Sequence, residues 1–300
     1  MVAVILVNYN GAADTISCLE SLSAIHNVEF EIIVVDNCST DDSIQRLQKY
    51  RESYPFTLLQ SDTNRGFSAG NNIGIRYAEN ADYYLLLNND TIVEADFLEK
   101  LLKGFESSKD CGITTPQIRY YSEPDRIWYA GGSLNPRTGR TEHYHYNEIL
   151  SDSNLSSCKV SFASGCCLCI ARRVVDTVGA LNEDFFLYEE DAEYCLRVVK
   201  AGFEIHFVPS SLIYHKVSAT TGAGSTLSQY YSVRNKYYLI WLHYEGTNRL
   251  AAYTYCTVQF LFRCIKKELY FKNYRRGLKA FLRKEIGKTM DGNQDARRRS

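Results

Sequence analysis

The chain has 300 residues, 45% hydrophobic and 23% charged, which suits a large α/β domain with an extension and excludes a disordered or fibrous protein. A formal net charge of −1 argues against whole-chain nucleic-acid binding, yet it hides an asymmetry. Residues 263–300 carry 13 Lys and Arg against 4 Asp and Glu, a net of +9, which leaves −10 on the first 262 residues.

Val2–Val7 is a continuous apolar, β-branched run, the pattern of a strand buried on both faces. Asn10-Gly11 breaks it, and Thr15–Leu22 predicts a helix with Ile16, Leu19 and Leu22 on one stripe. Glu31–Val35 predicts a second buried strand, and the turn Asn37–Asp42 offers N-caps for a helix through Ile44, Leu47 and Tyr50. The pattern then predicts a strand at Phe56–Leu59, a helix at Ala69–Ala78 and a strand at Tyr83–Leu87. A helix over Ala95–Phe105 and a strand at Gly112–Thr115 follow. Strands alternating with ten-residue helices imply right-handed βαβ units and a mostly parallel central sheet flanked by helices.

Residues 117–159 are rich in Tyr, Gly, Asn, Pro and Arg, and predict short strands with a mobile segment. Regular structure returns at Val160–Ile170, with helices at Arg172–Val178 and Glu189–Lys200 and strands at Glu204–Val208 and Leu212–His215. From Leu227 to Lys288 the pattern reads as helix throughout. Met1–Val7 lacks a basic n-region and is too short for a secretory signal, so the ten cysteines are expected to be reduced and packed as small hydrophobes. Cys166 and Cys169 form a C-x-x-C with no second pair at zinc-site spacing. No run of 18 apolar residues exists to span a bilayer.

In an open parallel sheet, ligands bind at the carboxyl ends of the strands. Polar clusters follow three strands there: Asn8-Tyr9-Asn10-Gly11, Asp36-Asn37-Cys38-Ser39 and Asn88-Asn89-Asp90. A fourth, Asn64-Arg65-Gly66-Phe67 with Asn71-Asn72, leads into a helix. Each could be a turn or cap, but several on one rim point to a site. The rim has no G-x-G-x-x-G, no G-x-x-x-x-G-K-[ST] and no G-x-S-x-G, which argues against dinucleotide, phosphate-loop and esterase chemistry. One carboxylate beside amides, Asp90, would suffice for a hard cation whose shell a diphosphate completes. A second dense region, Asn182–Asp191, holds five acids in ten residues, which fits either a helix N-terminus or proton transfer.

In this order, VILVNYNG (4–11), EIIVVDNCSTDDS (31–43), NRGFSAGNNIGI (64–75), YYLLLNNDT (83–91), residues 163–209 and IYHKVSATTG (213–222) resemble the inverting family 2 glycosyltransferases of GT-A fold, above all the bacterial rhamnosyltransferases. The resemblance implies a catalytic domain over 1–240, with a nucleotide-binding half to 115 and an acceptor half from 116, then a basic amphipathic helical extension over 241–300. It implies that the Val7 main chain, Tyr9 and Asp36 hold a pyrimidine base. Asn8, Asn10, Asn37, Gly66 and Asn71 would line the donor, and Arg65 would approach the base or diphosphate. Asn88-Asn89-Asp90 stands at the family's D-x-D, with Asn at the first position where the strict motif has Asp. Asp90 would bind Mg2+ or Mn2+, Asn88 or Asn89 would reach the ribose or a phosphate, and His215 would approach the metal or diphosphate. Glu190-Asp191 matches the family's E-D pair, with Asp191 the expected base. Arg234-Asn235 would touch the diphosphate, and Tyr230, Tyr231 and the 117–146 segment would face the acceptor. The implied reaction moves a sugar from dTDP-L-rhamnose, or a UDP-hexose, to a hydroxyl of a glycan or lipid-linked acceptor with inversion.

Two other classes remain open on the residues alone. A sugar-1-phosphate nucleotidyltransferase would want a basic Gly-rich loop after the first strand, and Asn8–Asp14 has no Lys or Arg. A non-catalytic nucleotide-sugar-binding module would leave the acids structural. Between Leu250 and Ile286, Lys and Arg recur at helical spacing among aromatic and aliphatic residues. That pattern suits either a packed stripe, including one against a second copy in a homo-oligomer, or reversible attachment to an anionic membrane through residues 248–288. The expected location is cytoplasmic, peripheral at the inner face of the membrane.

Overall fold

A computed structural model describes residues 1–149, 155–217 and 224–289. The first apolar run becomes β1 (Val2–Asn8) at the middle of the sheet, which leaves its side chains nowhere polar to face. Helix α1 (Ala12–Leu22) starts three residues earlier than the stripe implies, and leads to β2 (Phe30–Asp36). Then come α2 (Ser43–Arg51), β3 (Thr57–Gln60), α3 (Phe67–Tyr77) and β4 (Tyr83–Asn88). These strands pair in parallel in the order β3-β2-β1-β4, as the alternating pattern predicts. The strand order therefore switches side at β1, and the β1 and β4 carboxyl ends are where the general rule for such sheets expects a ligand.

Beyond β4 the sheet turns mixed. After β5 (Thr91–Val93), α4 (Phe97–Lys103) passes into a 3₁₀ turn at Gly104–Ser107, where the sequence predicts one continuous helix. The short predicted strand at Gly112–Thr115 is the first half of β6 (Cys111–Tyr120). The 117–159 region contains β7 (Ile127–Tyr129), the hairpin of β8 (Gly132–Leu134) and β9 (Thr141–His143), and β10 (Cys158–Val160); residues 150–154 lie outside the described residues. In Val160–Ile170 only the ends are strand, because 161–166 form a loop ahead of β11 (Cys167–Ala171). β11 inserts antiparallel between β4 and β6. After α5 (Arg172–Val178) and α6 (Glu190–Lys200), the two predicted strands merge into β12 (Glu204–His215), whose register slips between Val208 and Leu212.

The last stretch is three helices, α7 (Thr226–His243), α8 (Gly246–Ile265) and α9 (Phe271–Leu282). Residue 240 falls inside α7, whose residues are buried almost all round, and Val233, Tyr237, Leu239 and Ile240 share the main core with the sheet. Seven of the ten cysteines are buried, and all ten are free thiols. Helix α9 lies close enough to α7 that a Cβ on Gly277 would sit 2.8 Å from the Tyr230 carbonyl oxygen.

Because that approach leaves no room for a side chain, Gly277→Leu should lower the unfolding free energy by about 1–3 kcal/mol in a denaturant titration. An unchanged midpoint would mean that α9 is not packed on α7.

Candidate active site

The rim is built on two buried polar groups at adjacent strand ends. Asn8 closes β1 and Asp36 closes β2, and both are wholly inaccessible. Asn8 Nδ2 donates to Asp36 Oδ2 at 2.7 Å, while Ser39 donates to the same carboxylate from its N–H (2.9 Å) and its hydroxyl (2.6 Å). Asn8 Oδ1 accepts from Thr15 Oγ1 at 2.8 Å, whose oxygen in turn accepts from Asn89 Nδ2 at 2.8 Å. One chain of hydrogen bonds thus joins the clusters after β1, β2 and β4. Ser39, legible only as a member of the turn after β2, and Thr15, legible only as the start of a helix, are the links to which the sequence assigns no role, since lone hydroxyls carry no distinctive spacing. A base N–H reaches the buried Asp36 carboxylate only if this network opens, because Ser39 Oγ, besides donating to Asp36, accepts from the Asn10 N–H at 2.9 Å and from Asn8 Nδ2 at 3.1 Å.

The other donor-side residues fall into two groups. Tyr9 is exposed beside the rim, and Asn10, in a left-handed backbone conformation, accepts from Thr40 N–H. Asn37 Nδ2 donates to Asn64 Oδ1 and to the Gly66 carbonyl, which folds the Arg65 loop against the β2 end. Gly66 has φ +93°, and a Cβ there would lie 2.0 Å from the Phe186 carbonyl oxygen, so only glycine fits. Val7 packs against Gly70, and Asn71 Nδ2 donates back to the Phe67 carbonyl inside α3. Its neighbour Asn72 proves the longer-range residue, exchanging hydrogen bonds with the Leu181 backbone.

After β4, Asp90 Oδ1 stands 3.1 Å from His215 Nε2 at the end of β12. Burial alone would favour a neutral ring, but the Cys166 sulfur and the Asp90 carboxylate outweigh it and push His215 up to about 10. Burial also raises the Cys166 thiol, so the carboxylate is the charge that holds the imidazolium. The Trp128 ring meets His215 edge-on at 4.7 Å, a contact made from β7, in the region expected to hold short strands. A divalent cation would have to take the place of the proton between the two groups: Asp90 Oδ1 and a deprotonated His215 Nε2 would hold it, and a diphosphate and water would complete the shell. Among the described residues no third His, Cys, Asp or Glu joins them, and His215 Nδ1 is buried without a partner. Asn88 contributes its backbone, its N–H donating to the Cys166 carbonyl.

That last contact brings in the second acidic region. One residue before Cys166, the Gly165 N–H donates to Asp191 Oδ2 at 2.9 Å, so the turn at 164–166 seats Asp191 beside the Asn88–Asp90 cluster. The five acids of 182–191 do not form one cluster. Glu183 pairs with Arg65 (2.7 Å) and Arg76, Asp184 accepts from Tyr238, and Glu189 pairs with Lys236 at 2.5 Å. Glu190 is buried, and burial together with the Asp191 charge pushes its carboxyl well above the usual range. Asp191 is half-buried, with both oxygens on backbone N–H groups. Tyr188 and Glu189 before it are left-handed, a strained turn that Asn235 holds by donating to the Leu187 and Tyr188 carbonyls at 2.8 Å each.

Two expectations from the resemblance are corrected here. Arg234 is 1% exposed, with Nε donating to Asn235 Oδ1 and Nη1 to the Gly287 carbonyl and the Thr289 hydroxyl while Nη2 is buried without a partner, so it lies under residues 287–289 rather than open to a diphosphate. Tyr230 and Tyr231 are buried under the same segment, bonded to Thr289, and do not form a surface over the site. The 218–222 part of the IYHKVSATTG stretch lies outside the described residues.

With this geometry in hand, residues 3–179 match the profile of the family described as "Glycosyl transferase family 2". A curated relative from Haloferax volcanii, "Low-salt glycan biosynthesis hexosyltransferase Agl10", is 28% identical over 214 residues, covering 68% of this chain and 63% of its own. The "dTDP-rhamnosyl transferase RfbF" of Shigella flexneri is 23% identical over 246 residues, covering 79% and 78%. The chain thus spans less than two thirds of the first of these proteins. Among solved structures, the mannosyltransferase PcManGT of Pyrobaculum calidifontis, in complex with GDP-Man and Mn2+, aligns over 95% of this chain and 87% of its own with a TM-score of 0.62 at 13% identity. Residues 1–349 of TarS from S. aureus align over 94% and 80% with a TM-score of 0.58 at 15% identity. These likenesses establish the GT-A fold.

Glu190 generates a pH signature. Its folded-state pKa lies above the unfolded value near 4.5, so the native state holds more protons between the two. Stability should therefore fall as pH rises above about 4.5, and Glu190→Gln, which stays neutral, should flatten that part of the curve. Denaturant titrations across pH 4–8 read the slope; identical slopes in both proteins would mean that Glu190 is ionised when folded.

Proposed function

The chain belongs to glycosyl transferase family 2, and we propose that it transfers a sugar with inversion from a nucleoside-diphosphate donor to a hydroxyl group. The observation that carries this reading is the seating of Asp191 on the 164–166 turn, against the Asn88–Asp90 cluster. A general base then stands beside the place where a donor diphosphate would lie. At the carboxyl ends of β1 and β2, the Val7 main chain, Tyr9 and Asp36 would take a pyrimidine base, which requires the hydrogen bonds around Asp36 and Ser39 to open. Asn88 and Asn89, at the β4 end, would reach the ribose or a phosphate. Arg65, paired with Glu183 at 2.7 Å, would approach the base or diphosphate. A divalent cation held by Asp90 and His215 would neutralise charge on the leaving diphosphate.

In the step itself, Asp191 accepts the proton of the acceptor hydroxyl as that oxygen bonds to the anomeric carbon. The bond from that carbon to the diphosphate oxygen breaks, its electron pair leaving with the nucleotide. Burial and the Asp191 charge push the Glu190 carboxyl well above its usual range, which favours its neutral form and makes Asp191 the better base. dTDP-L-rhamnose is the favoured donor, on the strength of the Shigella relative's name, with a UDP-hexose second. A glycan or lipid-linked saccharide is the acceptor class.

The C-terminal helices support attachment to an anionic membrane. Among the described residues no helix is long and apolar enough to cross a membrane. Helix α8 nevertheless has two apolar faces: Ala252, Cys256 and Phe260 are buried, while Leu250 (68% exposed), Val258, Leu261, Phe262 and Ile265 (78%) face solvent. The exposed stripe runs into Lys266 and Lys267, then Phe271, Lys272, Arg275 and Lys279 of α9. Apolar residues flanked by cations suit the interface of an anionic bilayer, each engaged cation adding about 1 kcal/mol.

Asp191→Asn should reduce turnover about 10²–10⁴-fold while nucleotide affinity, read by thermal shift with dTDP, UDP and GDP plus Mg2+ or Mn2+, stays within about threefold. Near-normal turnover would remove Asp191 as base, and absence of any nucleotide stabilisation would remove the donor site. In co-sedimentation, the protein should pellet with anionic vesicles at low salt and be released at high salt, and Phe262→Ser/Ile265→Ser should weaken recovery. Equal recovery in the supernatant with anionic and neutral vesicles would leave the stripe to self-association, which ultracentrifugation without lipid detects.

A further inference from the structure

Two adjoining hollows run along α7. One, of about 210 Å3, is lined by Tyr188, Ser228, Gln229, Ser232 and Arg263 among others; the second, of about 160 Å3, by Arg140, Thr141, Glu189, Ser232, Lys236 and Arg263. They share Ser232 and Arg263 and so form one trench. Its wall includes Tyr188 and Glu189, the two left-handed residues that lead directly into Glu190 and Asp191. A molecule lying in the trench would therefore touch the two residues that immediately precede Glu190 and Asp191 in the chain.

The second hollow has an uneven charge. Arg140 reaches it from the β8–β9 turn, Lys236 from α7 and Arg263 from α8, three elements far apart in sequence. Against these stands one carboxylate, Glu189, already engaged by Lys236 at 2.5 Å. Arg263 has only a 3.9 Å approach to Glu268, and Arg140 has no acidic partner among the described residues. Two guanidiniums with spare donors therefore face one polar hollow, the arrangement that binds a planar or tetrahedral oxyanion by paired charge-assisted hydrogen bonds. Cations that were merely solvated would not need to converge from three elements.

We propose that the trench is the acceptor site, and that its cationic end recognises an anionic group, phosphate or carboxylate, carried by the acceptor. This rests on the transferase reading above and adds to it the chemical class of the acceptor. The group would be bound by Arg140 and Arg263, with Lys236 remaining in its pair with Glu189 and keeping that carboxylate from repelling the ligand. The acceptor hydroxyl would then extend past Tyr188 and Glu189 towards Asp191.

The test uses the full chain with saturating dTDP or UDP and Mg2+, so that the donor site is filled. Phenyl phosphate, phenyl glucuronide and phenyl glucoside are titrated against the parent and against Arg140→Gln/Arg263→Gln. At least one anionic probe should bind the parent saturably and lose about tenfold or more in the variant, and the neutral glucoside should bind neither well. Which anion binds tighter distinguishes a phosphate-bearing from a carboxylate-bearing acceptor. Equal affinity of parent and variant, binding of the glucoside as tight as the anions, or no anion binding at all would overturn the proposal. Unchanged nucleotide affinity and melting temperature in the variant show that it is folded. Loss of nucleotide binding in the parent itself would count against the donor site and leave the anion result to be read on its own.

Discussion

A carboxylate with no access to water must have its oxygens satisfied by the chain, and in this fold that requirement falls on Asp36 at the end of β2. The Asn8 side chain and two groups of Ser39 meet it, so the end of β1 and the turn after β2 cannot move independently. Through Asn8 and Thr15 the same network reaches Asn89, and with it the loop that carries Asp90. The crevice between β1 and β4 is thus preorganised by polar contacts on its floor rather than by the apolar core beneath it. Breaking any one link would leave a buried group unpaired, which costs more than the bond's own net contribution.

The segment 181–191 joins this donor-side rim to the second half of the molecule. Its Phe186 carbonyl oxygen accepts from Phe67 N–H at the start of α3, in the space that Gly66 leaves open, and Asn72 binds its Leu181 end. From the other side, Asn235 holds the strained Tyr188–Glu189 turn and Gly165 N–H holds Asp191. Most of the acids in this segment serve to tie it down: Glu183 to two arginines, Asp184 to a tyrosine, Glu189 to a lysine. Charges that would repel as a cluster are separated by pairing each with a different element. The one left buried, Glu190, is pushed towards its neutral form by its surroundings.

The C-terminal helices are part of the same body. Helix α7 is buried nearly all round, and α9 approaches it closely at Gly277. Residues 287–289 fold back over Arg234, Tyr230 and Tyr231 and reach the 184–186 turn, since Gly287 N–H donates to the Asp184 carbonyl. The basic extension consequently touches the segment that carries the proposed base, while its α8 stripe remains open to solvent. In the proposed reaction, attachment at that stripe and recognition of the acceptor would lie on the same helix, because Arg263 of the trench belongs to α8.

Local pattern was sufficient wherever the physics is local. The continuous apolar run Val2–Val7, its counterparts in β2 and β4, and the helical stripes between them specify βαβ units, and the handedness of those units orders the first four strands. The polar residues that interrupt these runs at their carboxyl ends, Asn8, Asp36 and Asn88 to Asp90, are legible as a site because strand ends in a parallel sheet converge on one edge. The sequence could not say where β11 inserts or that residues 204–215 run as one strand past Pro209, because pairing depends on neighbours more than thirty residues away. Nor could it distribute the acids of 182–191, whose spacing suggests a cluster and whose partners, Arg65, Tyr238 and Lys236, come from distant elements. On α8 an apolar period of about four residues reads the same on a buried face as on an exposed one. Only the packing against α7 decides that Ala252, Cys256 and Phe260 are covered while Leu250, Val258 and Ile265 are not.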